Sequence, residues 1–167
     1  MKQLQVFGRG DVRLVEVSEP DCGPGDVLVA VAACGVCGSD LGYIQSGGPA
    51  GPTGQPMALG HEFAGRISAA GARVGGWAVG QAVVVNPLAA ANMIGNGGPD
   101  GAFAPTVRVR AAQSPGTLFA LPAAVPLERG ALAEPLAVAF HAVRQAAAGP
   151  RTQAVVLGAG PIGLGCV

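Results

Sequence analysis

Apolar and polar positions alternate over short stretches through most of the chain. Val12-Arg13-Leu14-Val15-Glu16-Val17 and Val27-Leu28-Val29-Ala30-Val31 are rich in β-branched residues and bounded by Pro and Gly, which predicts a strand in each. Between them, Glu19 to Asp26 is dense in turn-forming residues. Further strands are predicted at Glu62 to Ser68, Ala82 to Val85 and Thr106 to Arg110. In the last, Val107 and Val109 alternate with Arg108 and Arg110, as in a half-buried strand. Many short strands at this spacing imply a barrel or sandwich. The Gly/Pro-rich segments at Ser46 to Pro56 and Gly95 to Gly101 read as loops within the fold.

The pattern changes after Gly130. Leu136, Phe140 and Val143 fall at i, i+4 and i+7, which predicts a helix over Pro135 to Gln145. Glu134 is expected at its N-cap, with Pro135 at the first helical position. Gly149-Pro150 stops the helix, and Gln153-Ala154-Val155-Val156-Leu157 reads as a fully buried strand. The expected fold is therefore mainly β over residues 1–150, followed at 151–167 by the first strand and turn of something new.

Composition narrows the picture. Half of the residues are hydrophobic but only 4% are aromatic, so any core is built mainly from Ala, Val and Leu. With 28 Gly and 14 Pro, strands and turns suit the chain better than a helical bundle. Lys+Arg and Asp+Glu are equal at 10 each, so no net field draws in a polyanion, and nucleic acid is excluded as the expected partner. The first residues carry no apolar run of signal-peptide length, and no stretch of about 18 apolar residues predicts a membrane span. Cys22, Cys34, Cys37 and Cys166 are spaced unlike a disulfide framework, so a cytoplasmic protein with free thiols is expected.

The chemistry concentrates in three places. Cys34-Gly35-Val36-Cys37 is a CxxC, ambiguous by itself. It continues into Gly38-Ser39-Asp40 and is followed by Gly60-His61-Glu62 and then Glu134-Pro135-Leu136. A thiolate, an imidazole and a carboxylate from separate elements, with a fourth position left open, describe a catalytic zinc site rather than a structural one. Cys37, His61 and Glu134 are the expected ligands. The helix dipole favours an ionised Glu134. Ser39 offers a hydroxyl to pass a substrate proton outward, and Asp40 suits the role of orienting the ligands. Glu62 either visits the metal or lines the site. Glu134 also has a plain reading as a helix cap.

These motifs, extended through Glu134-Pro135-Leu136-Ala137-Val138-Ala139-Phe140-His141-Ala142, resemble the zinc-dependent medium-chain dehydrogenase/reductases. The resemblance implies a GroES-like β-barrel catalytic domain followed by a Rossmann domain. It assigns Cys37, not Cys34, to the metal. Glutamate at 134, where alcohol dehydrogenases usually carry a cysteine, is similar to the polyol, sugar-acid, butanediol and threonine dehydrogenases. The runs Gly80-Gln81-Ala82-Val83 and Ala133 to Ala139 are similar to L-idonate 5-dehydrogenase. The implied activity is NAD(P)-linked oxidation of a secondary alcohol, polyol or sugar acid to a ketone, by a possible homo-oligomer. Gly42 stands where many relatives have a histidine that continues the proton relay, so Ser39 would pass its proton to water or to a ribose hydroxyl. No four-cysteine lobe follows Asn86-Pro87, so one catalytic zinc and no structural zinc are expected. Tyr43 lies near the site in relatives and reads equally well as a packed aromatic. His141 sits about 10 Å along the helix from Glu134 at 1.5 Å per residue, too far to share the metal.

Gly158-Ala159-Gly160-Pro161-Ile162-Gly163 follows the predicted strand and should open a helix, the setting a dinucleotide turn requires. Gly158 would permit the tight turn, Gly160 the approach of a pyrophosphate and Gly163 close helix–strand packing, with Pro161 and Ile162 between them. The chain ends at Val167, before the acidic residue expected about 20 residues farther on. The Rossmann unit is thus expected to be truncated, with self-association or disorder near Val155 to Leu157. A zinc-binding barrel without turnover is the alternative.

Overall fold

The computed structural model describes residues Met1–Val167. The strands are β1 (Lys2–Gly8), β2 (Asp11–Glu16), β3 (Val27–Gly35), β4 (Met57–Ala58), β5 (Glu62–Ala70), β6 (Ala82–Val85), β7 (Thr106–Val109) and β8 (Leu118–Ala120). They form a three-stranded sheet in the order β2-β1-β4 and a five-stranded sheet in the order β7-β3-β5-β6-β8. Every pairing is antiparallel. The helices are α1 (Gly38–Ser46), α2 (Leu127–Gly130), α3 (Ala133–Gln145) and α4 (Pro161–Gly165), with a 3₁₀ turn at Ala89–Ala91.

The alternation read along the chain is the alternation of burial. Val107 and Val109 of β7 are buried, as are Val83 and Val85 of β6 and Val27 and Val29 of β3. With Phe63, Ile67 and Leu118 they make one core against the five-stranded sheet, sealed by Ile94 and Ala102 from a long loop. A second cluster of Val6, Met57 and Leu59 is smaller. Fully burying one such side chain stabilises by about 1.5–3 kcal/mol, so the larger core carries most of the stability.

Two expectations are corrected, and α3 turns inward a face other than the one its apolar period marks. The backbone is already helical at Leu132, which is the N-cap of α3, so Glu134 and Pro135 are its second and third residues. Proline fits there because the first-turn N–H groups have no intrahelical partner. Helix α3 buries Pro135 and Ala139, whereas Leu136 and Phe140 are 50% and 63% exposed. It packs on β5 and α4 through its small residues, so the apolar period marks the helix without marking its inner face. Finally, Gln153 to Leu157 forms no strand, and Val155 and Leu157 are 85% and 93% exposed. No neighbouring strand offers these residues a ladder, and a single strand has nowhere to send its backbone hydrogen bonds.

Candidate metal centre

Two elements of β structure bring the motifs together. In the β3–β5 ladder Cys34 pairs with Phe63 and Gly35 with Glu62, so the ends of both strands meet where the chain turns into α1. Cys37 is the N-cap of α1 and has extended backbone angles. Asp40, the third residue of the helix, reaches back so that its Oδ2 accepts the Cys37 N–H at 2.9 Å. That is the carboxylate half of a capping box, and it fixes the loop carrying the thiol. The second Asp40 oxygen accepts the Gly60 N–H at 3.3 Å.

Cys37, His61 and Glu62 form a cluster whose ligand atoms all lie within 4.8 Å of one another. His61 and Glu62 are buried, and Cys37 is half-buried. Gly35 makes room for the carboxylate: a Cβ there would lie 2.4 Å from Glu62 Oε2. This role of Gly35 goes beyond the expectations drawn from sequence, although a glycine inside the CxxC was the available signal. Cys34 is outside the cluster. Burial, reinforced by the Asp40 carboxylate, pushes its thiol up to about 12, so it stays protonated and a poor metal donor.

His61 Nδ1 lies 3.5 Å from Asp40 Oδ1 and is buried without a hydrogen-bond partner. The contact is electrostatic, and it leaves Nε2 as the nitrogen facing outward. Ser39 Oγ is 3.4 Å from that Nε2, longer than an ordinary N···O hydrogen bond. Burial pulls the imidazole's pKa down, but the Asp40 carboxylate and Cys37 outweigh it and hold His61 up at about 9.

Glu134 is not among the clustered ligand atoms. It is half-buried on α3 within electrostatic reach of His61 and Glu62; burial raises its carboxyl above the ordinary value, His61 opposes that rise, and Glu62 adds to it. It borders a cavity of about 560 Å³ with Val85, Leu88, Phe119 and Val138. His141 borders the same cavity and contacts Gln145 Nε2 at 3.3 Å. The Tyr43 hydroxyl donates to Asn96 Oδ1 at 3.1 Å, and the ring packs on the smaller core cluster. The glycine turn opens α4, with Gly160 as N-cap and Pro161 first in the helix. A cleft of about 370 Å³ is walled by Cys37 and Glu62 on one side and by Gly158, Gly160, Pro161, Ile162 and Gly163 on the other.

A β-domain ending in a helix and glycine turn, with a thiol–imidazole–carboxylate cluster at the joint, is the architecture of a GroES-like dehydrogenase domain. Residues 23–123 match the family described as alcohol dehydrogenase GroES-like domain, and the chain belongs to that family. It is 35% identical to the (R,R)-butanediol dehydrogenase of Bacillus subtilis, over 98% of this chain and 53% of the relative. The galactitol-1-phosphate dehydrogenase structure from Escherichia coli superposes with a TM-score of 0.83 at 32% identity, over 99% of this chain and 51% of that one. An alcohol dehydrogenase from Escherichia coli CFT073, complexed with NADH, gives a TM-score of 0.82 at 26% identity, over 99% and 51%. The chain spans about half the length of the curated relatives it matches. No helix is long and apolar enough to cross a membrane.

Proposed function

We propose that residues 1–150 form the zinc-holding catalytic part of an NAD(P)-linked dehydrogenase of secondary alcohols or polyols, and residues 151–167 the start of its dinucleotide unit. The clustering of Cys37, His61 and Glu62 carries this reading. The donor set fits zinc: one soft thiol, one imidazole whose far nitrogen faces a carboxylate, and one carboxylate with room reserved for it by Gly35. Cys37 and His61 would hold the ion in either arrangement. Glu62 supplies the carboxylate in this geometry, and Glu134, the ligand that the family resemblance implies, stands beside it.

When bound, zinc lowers the pKa of an alcohol and the nicotinamide accepts the hydride. The chain's own residues set the stage. Asp40 ties the Cys37 loop to Gly60 and presents His61 by its outer nitrogen. Ser39, beside that nitrogen, would take the substrate hydroxyl proton and hand its own to water or a ribose hydroxyl, since Gly42 offers no further relay. The α4 N-terminus and the glycine backbone face Cys37 across the cleft, where they suit a pyrophosphate. The relatives' names support a small alcohol or polyol as substrate.

The test is zinc content. The purified chain is expected to hold about one zinc, lost in Cys37→Ser; a wild-type chain without stoichiometric zinc defeats the reading. A zinc-binding barrel without turnover is the second reading. Reproducible NAD(P)-dependent alcohol oxidation by the chain would remove it.

A further inference from the structure

The loop from Leu88 to Gly101 is held by a polar clasp that has no part in the metal cluster. Asn92 is 1% exposed, and its amide is almost fully used. Nδ2 donates to Ala89 O at 2.8 Å and to Arg110 O at 3.0 Å, while Oδ1 accepts the Arg110 N–H at 2.8 Å. The side chain therefore pairs with the Arg110 backbone as a neighbouring strand would, just past the end of β7. Arg110 in turn forms an ion pair with Asp100, whose carbonyl accepts the Gly95 N–H at 2.8 Å. Around Asn92 the backbone is strained: Ala90, Ala91 and Met93 have φ of 51°, 56° and 52°, a region unfavourable for residues with a Cβ. Such a turn persists only where surrounding contacts over-determine it.

This loop presses on the residue before His61. A Cβ on Gly95 would lie 2.2 Å from Gly60 O, and one on Gly60, at φ +91°, would lie 2.6 Å from Phe103 N. The Gly60 carbonyl accepts the Ala102 N–H at 2.8 Å, and its N–H goes to Asp40. The peptide on which His61 hangs is gripped between α1 and the clasped loop. Asn96 makes the same connection from the other side through Tyr43.

We propose that Asn92 is a positioning residue for His61, acting through Gly95 and Ala102 on Gly60. The proposal rests on the metal reading of Cys37, His61 and Glu62. Asn92→Ala strips hydrogen bonds from the Arg110 N–H and C=O and from Ala89 O, and the loop loses its reason to hold three left-handed residues.

The experiment compares the whole chain with Asn92→Ala and with Val83→Ala, a fully buried core truncation on β6, which pairs with β5 and β8 and not with the strand that leads into Arg110. Zinc affinity is measured by competition with a chromophoric chelator, geometry by the visible spectrum of the Co²⁺ form, and the Gly60 and Ala102 amides by hydrogen exchange without metal. Asn92→Ala is expected to bind zinc about tenfold or more weakly, to change the Co²⁺ spectrum and to speed exchange at both amides. Val83→Ala is expected to lower the melting temperature alone. Wild-type affinity, spectrum and exchange in Asn92→Ala overturn the proposal. Absence of zinc binding in the wild type, with exchange still faster in Asn92→Ala, sinks the metal reading while upholding the grip on Gly60. Should Asn92→Ala not fold, Asp100→Asn carries the same expectations in smaller measure, and wild-type behaviour there counts equally against the proposal.

Discussion

Asp40 and His61 meet at 3.5 Å, Oδ1 to Nδ1, while the other Asp40 oxygen holds the Cys37 N–H at 2.9 Å. One buried carboxylate therefore governs the orientation of both the imidazole and the thiol. Asp40→Asn keeps the shape but removes the charge and presents an amide to His61 or Gly60. Zinc affinity is expected to fall about 10–100-fold, by the usual weight of groups behind metal ligands, and a chelator competition assay reads it directly. An unchanged affinity would make Asp40 a helix cap only.

The pH dependence follows from His61, held at about 9 against the ordinary 6.5. A raised folded pKa stabilises the metal-free chain fully below pH ~6.5, and that contribution fades as pH rises through about 9. The melting temperature of metal-free protein should therefore drift down over this window. Zinc must displace the same proton, so its apparent affinity should rise about tenfold per pH unit below pH 9 for each proton released. A rise with pH that is the same in wild type and in His61→Ala would place His61 outside the ligand set.

Two carboxylates compete for one role. Glu62 lies in the ligand cluster and Glu134 does not, so Glu62→Gln should weaken zinc binding more than Glu134→Gln. Glu134 is raised by burial, so its metal-free contribution is stabilising at low pH and lost as pH climbs through its folded value. Glu134→Gln should thus melt slightly higher than wild type at neutral pH without metal, by about 1–3 °C. Greater zinc loss in Glu134→Gln would transfer the ligand role to α3.

Much of the fold was legible because burial follows the alternation. Val83, Val85, Val107 and Val109 announce their sheet, and the Gly60-His61-Glu62 and Cys37 to Asp40 motifs announce the site. What escaped has physical causes. β1 opens on Lys2 and Gln3 and reads as a charged terminus, although its partner β2 was legible over Val12 to Val17. α1 holds two glycines and little apolar periodicity, so it depends on the Cys37–Asp40 cap rather than on propensity. β8 has only three residues, too few for a pattern. Val155 to Leu157 has strand composition, but a strand is defined by its neighbour. That Glu62, and not Glu134, joins the Cys37–His61 cluster follows from the Gly35–Glu62 pairing, which no spacing along the chain discloses.

That pairing has a bearing on folding. β3 and β5 run through two irregularities, between Leu28 and Val29 and between Val31 and Ala33, before Gly35 comes opposite Glu62. A slip of one residue would turn every side chain of one strand to the opposite face and part Glu62 from Cys37. A metal ion captured by the cluster would therefore stabilise only the chain that has aligned its two longest strands correctly. The ion would act as a proofreader of assembly before any alcohol is met.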